Sequence, residues 1–161
     1  MKQLIETLDA QFLRIHRRAV DFVVLVPPEK LYWQPREREA LFPVNSCGEY
    51  ILRSAAAVEQ TFGGITTRLW DDPFEWTLPE KLHSVALITQ YLDEVDRTRM
   101  EGIAFIATDE SLSRSIPAPV KIIPMSQVLV EALSRSEHYL GRAYAVFQMI
   151  SDKKLPRIES L

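Results

Sequence analysis

A chain of 161 residues has the size of one ordinary domain and can bury roughly two-thirds of its unfolded surface. With 47% apolar and 25% charged residues it is too apolar for disorder, and a net charge of −3 gives no global attraction to nucleic acid or anionic lipid. A single cysteine, Cys47, excludes an intramolecular disulfide and a Cys-rich zinc cluster.

The first segment spans about Lys2 to Leu25. Ile5, Leu8, Phe12, Ile15, Ala19 and Phe22 step by three and four, the spacing of one buried helical face. Glu6 and Asp9 fall where a signal peptide needs an unbroken apolar run. Val20 to Val26 is interrupted by Asp21 and is too short to span a bilayer. The expectation is a cytoplasmic protein with no membrane partner. Arg14, Arg17 and Arg18 around His16 form the one local basic patch; it reads as a solvated helix face, and no nucleic-acid partner is expected. Pro27-Pro28 stops this helix.

Segment two opens with a capping box, Ser46-Cys47-Gly48-Glu49, followed by the stripe Ile51, Ala55, Val58 and Phe62. Gly63-Gly64 either ends it or weakens it before a last turn through Leu69. The link Trp70-Asp71-Asp72-Pro73-Phe74-Glu75-Trp76 is acidic and aromatic together. Its aromatics either cap the bundle end or form a lid or partner surface. A second box, Thr77-Leu78-Pro79-Glu80, predicts the start of segment three, whose stripe is Leu82, Val85, Ile88, Leu92 and Val95 and which persists to about Ala107. Segment four runs from about Pro124 to Asp152 with Leu129, Leu133, Leu140, Ala143, Phe147 and Ile150 on one face. Four helices of this length suit an all-α four-helix bundle of one domain, residues 1–161. No segment alternates, so essentially no sheet is expected. The links, roughly 26–45, 68–77 and 108–123, are long for bundle connections.

The common catalytic signatures are missing. No glycine pattern forms a phosphate loop, and no G-x-S-x-G elbow occurs. His16, His83 and His138 are never three to five residues apart, so no single helix presents two imidazoles to a metal. Glu80-x-x-His83 occurs once, where a di-iron bundle needs the motif on two helices, and Glu80 is explained by the cap. Cys47, at the start of helix two, is either a small packing residue or a nucleophile with a lowered pKa.

Three stretches carry a resemblance. They are Leu31-Tyr32-Trp33-Gln34-Pro35; Asn45-Ser46-Cys47-Gly48-Glu49-Tyr50-Ile51-Leu52 with Ala55-Ala56-Ala57-Val58-Glu59; and Glu137-His138-Tyr139-Leu140-Gly141-Arg142-Ala143-Tyr144, running on to Met149 and Pro156. In this order they resemble the inter-helix aromatic-x-Pro stretch, the second helix and the fourth-helix H-x-x-H-H-R-G-Q region of the DinB/YfiT-like superfamily. The resemblance implies an up-down-down-up bundle, often dimeric. In many members it also implies one divalent metal on three histidines, one from helix two and two from helix four. Activities known in the family include thiol-dependent transfer and isomerisation, and many members are presumed hydrolases.

Carried over, the metal positions fall on Ser54 (or Arg53, one residue away), Arg135 and Tyr139, none of them histidine. An arginine stays protonated and opposes a cation, and Ser and neutral Tyr are poor ligands for zinc or nickel. His138 matches a family histidine beside the ligands. No cofactor is expected, and a divalent metal such as zinc or nickel enters only if the site is retained in altered form. Arg135, Tyr139 and Arg142, at i, i+4 and i+7, share one helical face and suit a carboxylate or phosphate. Alternatively, Arg135 fills the vacated site by pairing with Glu59 or Glu49. The resulting expectation is a protein that binds a small anionic ligand or a partner without metal catalysis, as a homodimer. The alternative is a metal- or thiol-dependent transferase or hydrolase.

Overall fold

The structure, a computed structural model, describes every residue except 37, 38, 40, 74–76 and 159–161. It is mostly helical, with four long helices: α1 (Gln3–Val23), α2 (Cys47–Thr67), α3 (Val85–Ile106) and α4 (Met125–Phe147). Short 3-10 turns lie at Pro28–Lys30 and Asp109–Ser113. None of the described helices is long and apolar enough to cross a membrane.

Each helix follows from local chemistry. The α1 stripe is buried as its spacing requires, with Phe12 and Phe22 essentially inaccessible. Its N-terminus has no side-chain cap of its own. Asp109, more than a hundred residues away, supplies one: its carboxylate accepts from the amides of Leu4 and Ile5 at 3.3 and 3.0 Å. An anion at that end also suits the helix dipole. The α2 start is the predicted capping box, with Ser46 Oγ accepting from Glu49 N and the Glu49 carboxylate accepting from Ser46 N. Gly63 and Gly64 do not end α2, which closes at Arg68 in the left-handed region.

Helix three starts later than its sequence signal suggests. Thr77 Oγ1 donates to the Pro73 carbonyl at 3.0 Å, so it does not cap Glu80, and residues 78–82 make only a single turn. The cap in use is Ser84, whose hydroxyl accepts from Leu87 N at 3.3 Å. Glu80 is exposed, and the explanation of it as a cap residue does not hold. Helix four also ends earlier than expected, with residues 148–150 forming a turn. A small sheet is a further correction. β1 (Ser115–Pro117) pairs antiparallel with β2 (Ile122–Pro124), Ile116 opposite Ile123. Three residues per strand are too few to show alternation in sequence, yet both isoleucines are buried, so the hairpin adds a lid to the core.

Helix directions follow from cross-helix pairs. Asp9 meets Arg99, and His16 meets Asp93, so α1 and α3 are antiparallel. Ser54 meets Ser136 and Cys47 meets Ala143, so α2 and α4 are antiparallel. Arg18 meets Glu137 and Phe22 meets Tyr144 and Phe147, so α1 and α4 run together. α1 and α4 therefore run one way, and α2 and α3 run the other. The core is one apolar cluster in which Phe12 and Phe62 make an edge contact at 5.0 Å. Phe62 can lie there because α3 offers Gly102: a Cβ at that position would sit 2.3 Å from the ring. Arg99, 5% exposed, is satisfied by Asp9 and Asp96, as a buried cation must be.

Candidate functional site

The positions singled out in sequence lie along the α2–α4 pair, and a difference of one residue separates their fates. Ser54 is 1% exposed. Its hydroxyl donates to the Ser136 carbonyl at 2.9 Å, and the Ser136 hydroxyl donates back to the Ser54 carbonyl at 2.9 Å. These reciprocal bonds satisfy both groups and clasp the two backbones together. Ser54 borders a central cavity of about 20 Å³ with His16, Asp96, Arg99 and Ser136, enough for a single water. Ser54 does not line a pocket with Arg135 and Tyr139.

Arg53 does. Successive helical residues are turned about 100° from one another, which carries Arg53 to the outer side of the same seam. There Arg53, Ala56, Ala57 and Gln60 from α2, Arg135 and Tyr139 from α4, and Asp72 from the following link enclose a pocket of about 90 Å³. The α2 residues stand at i, i+3, i+4 and i+7. The two alanines leave the hollow, and the long polar side chains form its walls. That pattern was available in sequence and identifies Gln60, which motif comparison missed. Asp72 had no such signal, because loop closure brings it here.

Tyr139 is half-buried and stacks on Tyr50, with ring centres 6.4 Å apart. Arg142 stands over the Tyr50 ring, its guanidinium carbon 5.1 Å from the centroid, and does not line the pocket. His138 is exposed and leans edge-on against Tyr139. Arg135 is exposed and, among the described residues, makes no hydrogen bond or ion pair. The two carboxylates considered as its partners are engaged elsewhere. Glu49 holds the cap of α2 and accepts from Gln34 Nε2 at 3.2 Å. Glu59 accepts a hydrogen bond of 2.5 Å from the Tyr91 hydroxyl. Burial raises the pKa of both members of this last pair, with the charge of Glu59 adding to the rise at Tyr91.

Cys47 is fully buried, and its thiol contacts the Ala143 carbonyl at 3.5 Å. Burial pushes its pKa up to about 12, the opposite of what a nucleophile needs. It packs as a small apolar side chain. His16 faces Asp93 at 3.8 Å, while His83 lies exposed in the link before α3. Among the described residues no three His, Cys, Asp or Glu side chains group as metal ligands. Two guanidiniums and a phenol around the pocket do not fit a divalent cation. In the acidic aromatic link, the half-buried Trp70 lies over Gly64 and donates from Nε1 to the Pro117 carbonyl at 3.0 Å, tying the link to the hairpin. The expected roles of Phe74, Glu75 and Trp76 lie outside the described residues.

Comparison with protein-family models, curated proteins and solved structures finds no match of any of the three kinds.

Proposed function

We propose that this chain is a divergent DinB/YfiT-like bundle protein whose α2–α4 pocket takes a small carboxylate or phosphate where the family holds its metal. In this reading it is a ligand-binding protein without metal catalysis. One observation carries it: Arg53 and Arg135 converge with Tyr139 on a single pocket of about 90 Å³. Among the described residues that line it, two guanidiniums stand with one carboxylate, that of Asp72, and a phenol beside them can donate a further hydrogen bond to an anion. The opposed directions of the helix pairs, and a capping box at the head of α2, support the family reading. A homodimer belongs to the same proposal, and sedimentation at tens of micromolar that shows only monomer would remove it.

A thermal-shift screen of small anions tests the pocket. A ligand with a Kd of about 1 mM, supplied at about 10 mM, stabilises by about 1.4 kcal/mol and raises Tm by about 3–6 °C. Stabilisation by a carboxylate or phosphate that is lost in Arg135→Gln supports the proposal, and no stabilisation by any of them defeats it. Metal content after incubation with zinc, nickel and manganese checks the other side. Near-stoichiometric retention would return the metal-dependent enzyme to the front.

A further inference from the structure

A second cationic feature lies on the other side of α4. Arg14, Arg17 and Arg18 of α1, with Lys154 and Arg157 from the segment after α4, line a groove of about 730 Å³. The chain as a whole carries −3, yet among the described residues that line this groove five are cationic and two, Asp21 and Glu137, are acidic. Glu137 pairs with Arg18, which fixes one wall of the groove across α1 and α4. Arg14, Arg17 and Arg18 sit at i, i+3 and i+4, on one face of the helix. Arg17, Lys154 and Arg157 are exposed and, among the described residues, make no hydrogen bond or ion pair.

The groove is not purely polar. Leu25, Leu155 and Ile158 line it beside the cations, and Ile158 is 73% exposed. A cationic wall facing an apolar one suits a ligand with a multiply charged head and an apolar or flat body. The volume falls within the range of small-molecule sites and far exceeds what an inorganic ion fills. We infer that this groove binds an organic phosphate carrying two or more phosphoryl charges, with the phosphates on Arg17, Lys154 and Arg157 and the body against Leu155 and Ile158. This site is independent of the α2–α4 pocket, which Arg135 and Tyr139 line from the same helix.

Titration calorimetry with ATP as the probe tests the inference, with adenosine and inorganic phosphate as separated halves. ATP is expected to bind saturably with Kd on the order of 10 µM at low salt, and each half roughly ten-fold or more weakly. Arg17→Glu/Lys154→Glu replaces two exposed side chains. It should keep wild-type Tm within about 2 °C while weakening ATP roughly ten-fold or more. Arg135→Gln should leave ATP binding unchanged. No ATP binding at millimolar concentration overturns the inference, as does binding indifferent to the double substitution. Tighter binding of a single-stranded oligonucleotide than of ATP would overturn it in favour of a nucleic-acid surface.

Discussion

The inner and outer faces of the α2–α4 seam differ by one residue on each helix and have opposite characters. On the inner face Ser54 and Ser136 are buried, small and mutually satisfied, and they set how closely the helices approach. On the outer face Arg53 and Arg135 are long and charged, and they border a hollow left by Ala56 and Ala57. The contrast separates two demands on one helix pair. Buried polar groups such as these serines need partners, whereas a binding site keeps a charged group such as the exposed Arg135 available for a ligand.

Overfilling the inner face should have the largest effect. Ser136→Leu adds bulk at a close backbone contact and strips Ser54 of its hydroxyl partner. A loss of about 3 kcal/mol is expected, read as a Tm drop of about 6–12 °C. An unchanged Tm would show that the helices are not clasped there. Ser54→Ala is milder, costing about 1 kcal/mol in urea denaturation. The Ser54→Ala/Ser136→Ala double variant should cost less than the sum of the two singles, because the partners form one unit. On the outer face Arg135→Gln should move stability by no more than about 0.5 kcal/mol while removing any anion-dependent Tm rise. A large destabilisation would make that residue structural and erase the distinction between the faces.

A smaller, pH-dependent effect comes from Glu59, which pairs with Tyr91 between α2 and α3. Burial raises its carboxyl pKa above the unfolded value, so the folded state keeps that proton to higher pH. The associated stability is fully present below the ordinary carboxylate range and is lost as pH rises through the folded value. Glu59→Gln keeps an acceptor for Tyr91 and removes the titration. Its Tm advantage over wild type should be absent below the ordinary carboxylate range and grow as pH rises above it. An advantage independent of pH would show that the carboxyl is not perturbed by folding.

The helices and their core faces were legible because apolar spacing is a local property. The α1 stripe and the Ser46–Glu49 box appear in the fold as they stand in the chain. What could not be read depends on distant residues. Asp109 caps α1 from the far end of α3, and Pro73 takes the Thr77 hydroxyl away from the cap it was expected to form. The two three-residue strands show no pattern until the hairpin closes. At the site, spacing placed Arg135 and Tyr139 on one face, but the choice between Ser54 and Arg53 needed the helix's rotation about its axis. Arg142 shares that spacing, yet it stands over the Tyr50 ring instead.

The most direct test is to titrate the labelled protein with inorganic phosphate and follow backbone amide and arginine Nε signals by NMR. The account predicts saturable shifts at Arg53, Ala56, Ala57, Gln60, Arg135 and Tyr139, alongside any at the α1 groove, with the Ser54 and Ser136 amides moving little. Shifts confined to the α1 groove, or none that saturate at millimolar phosphate, would contradict it.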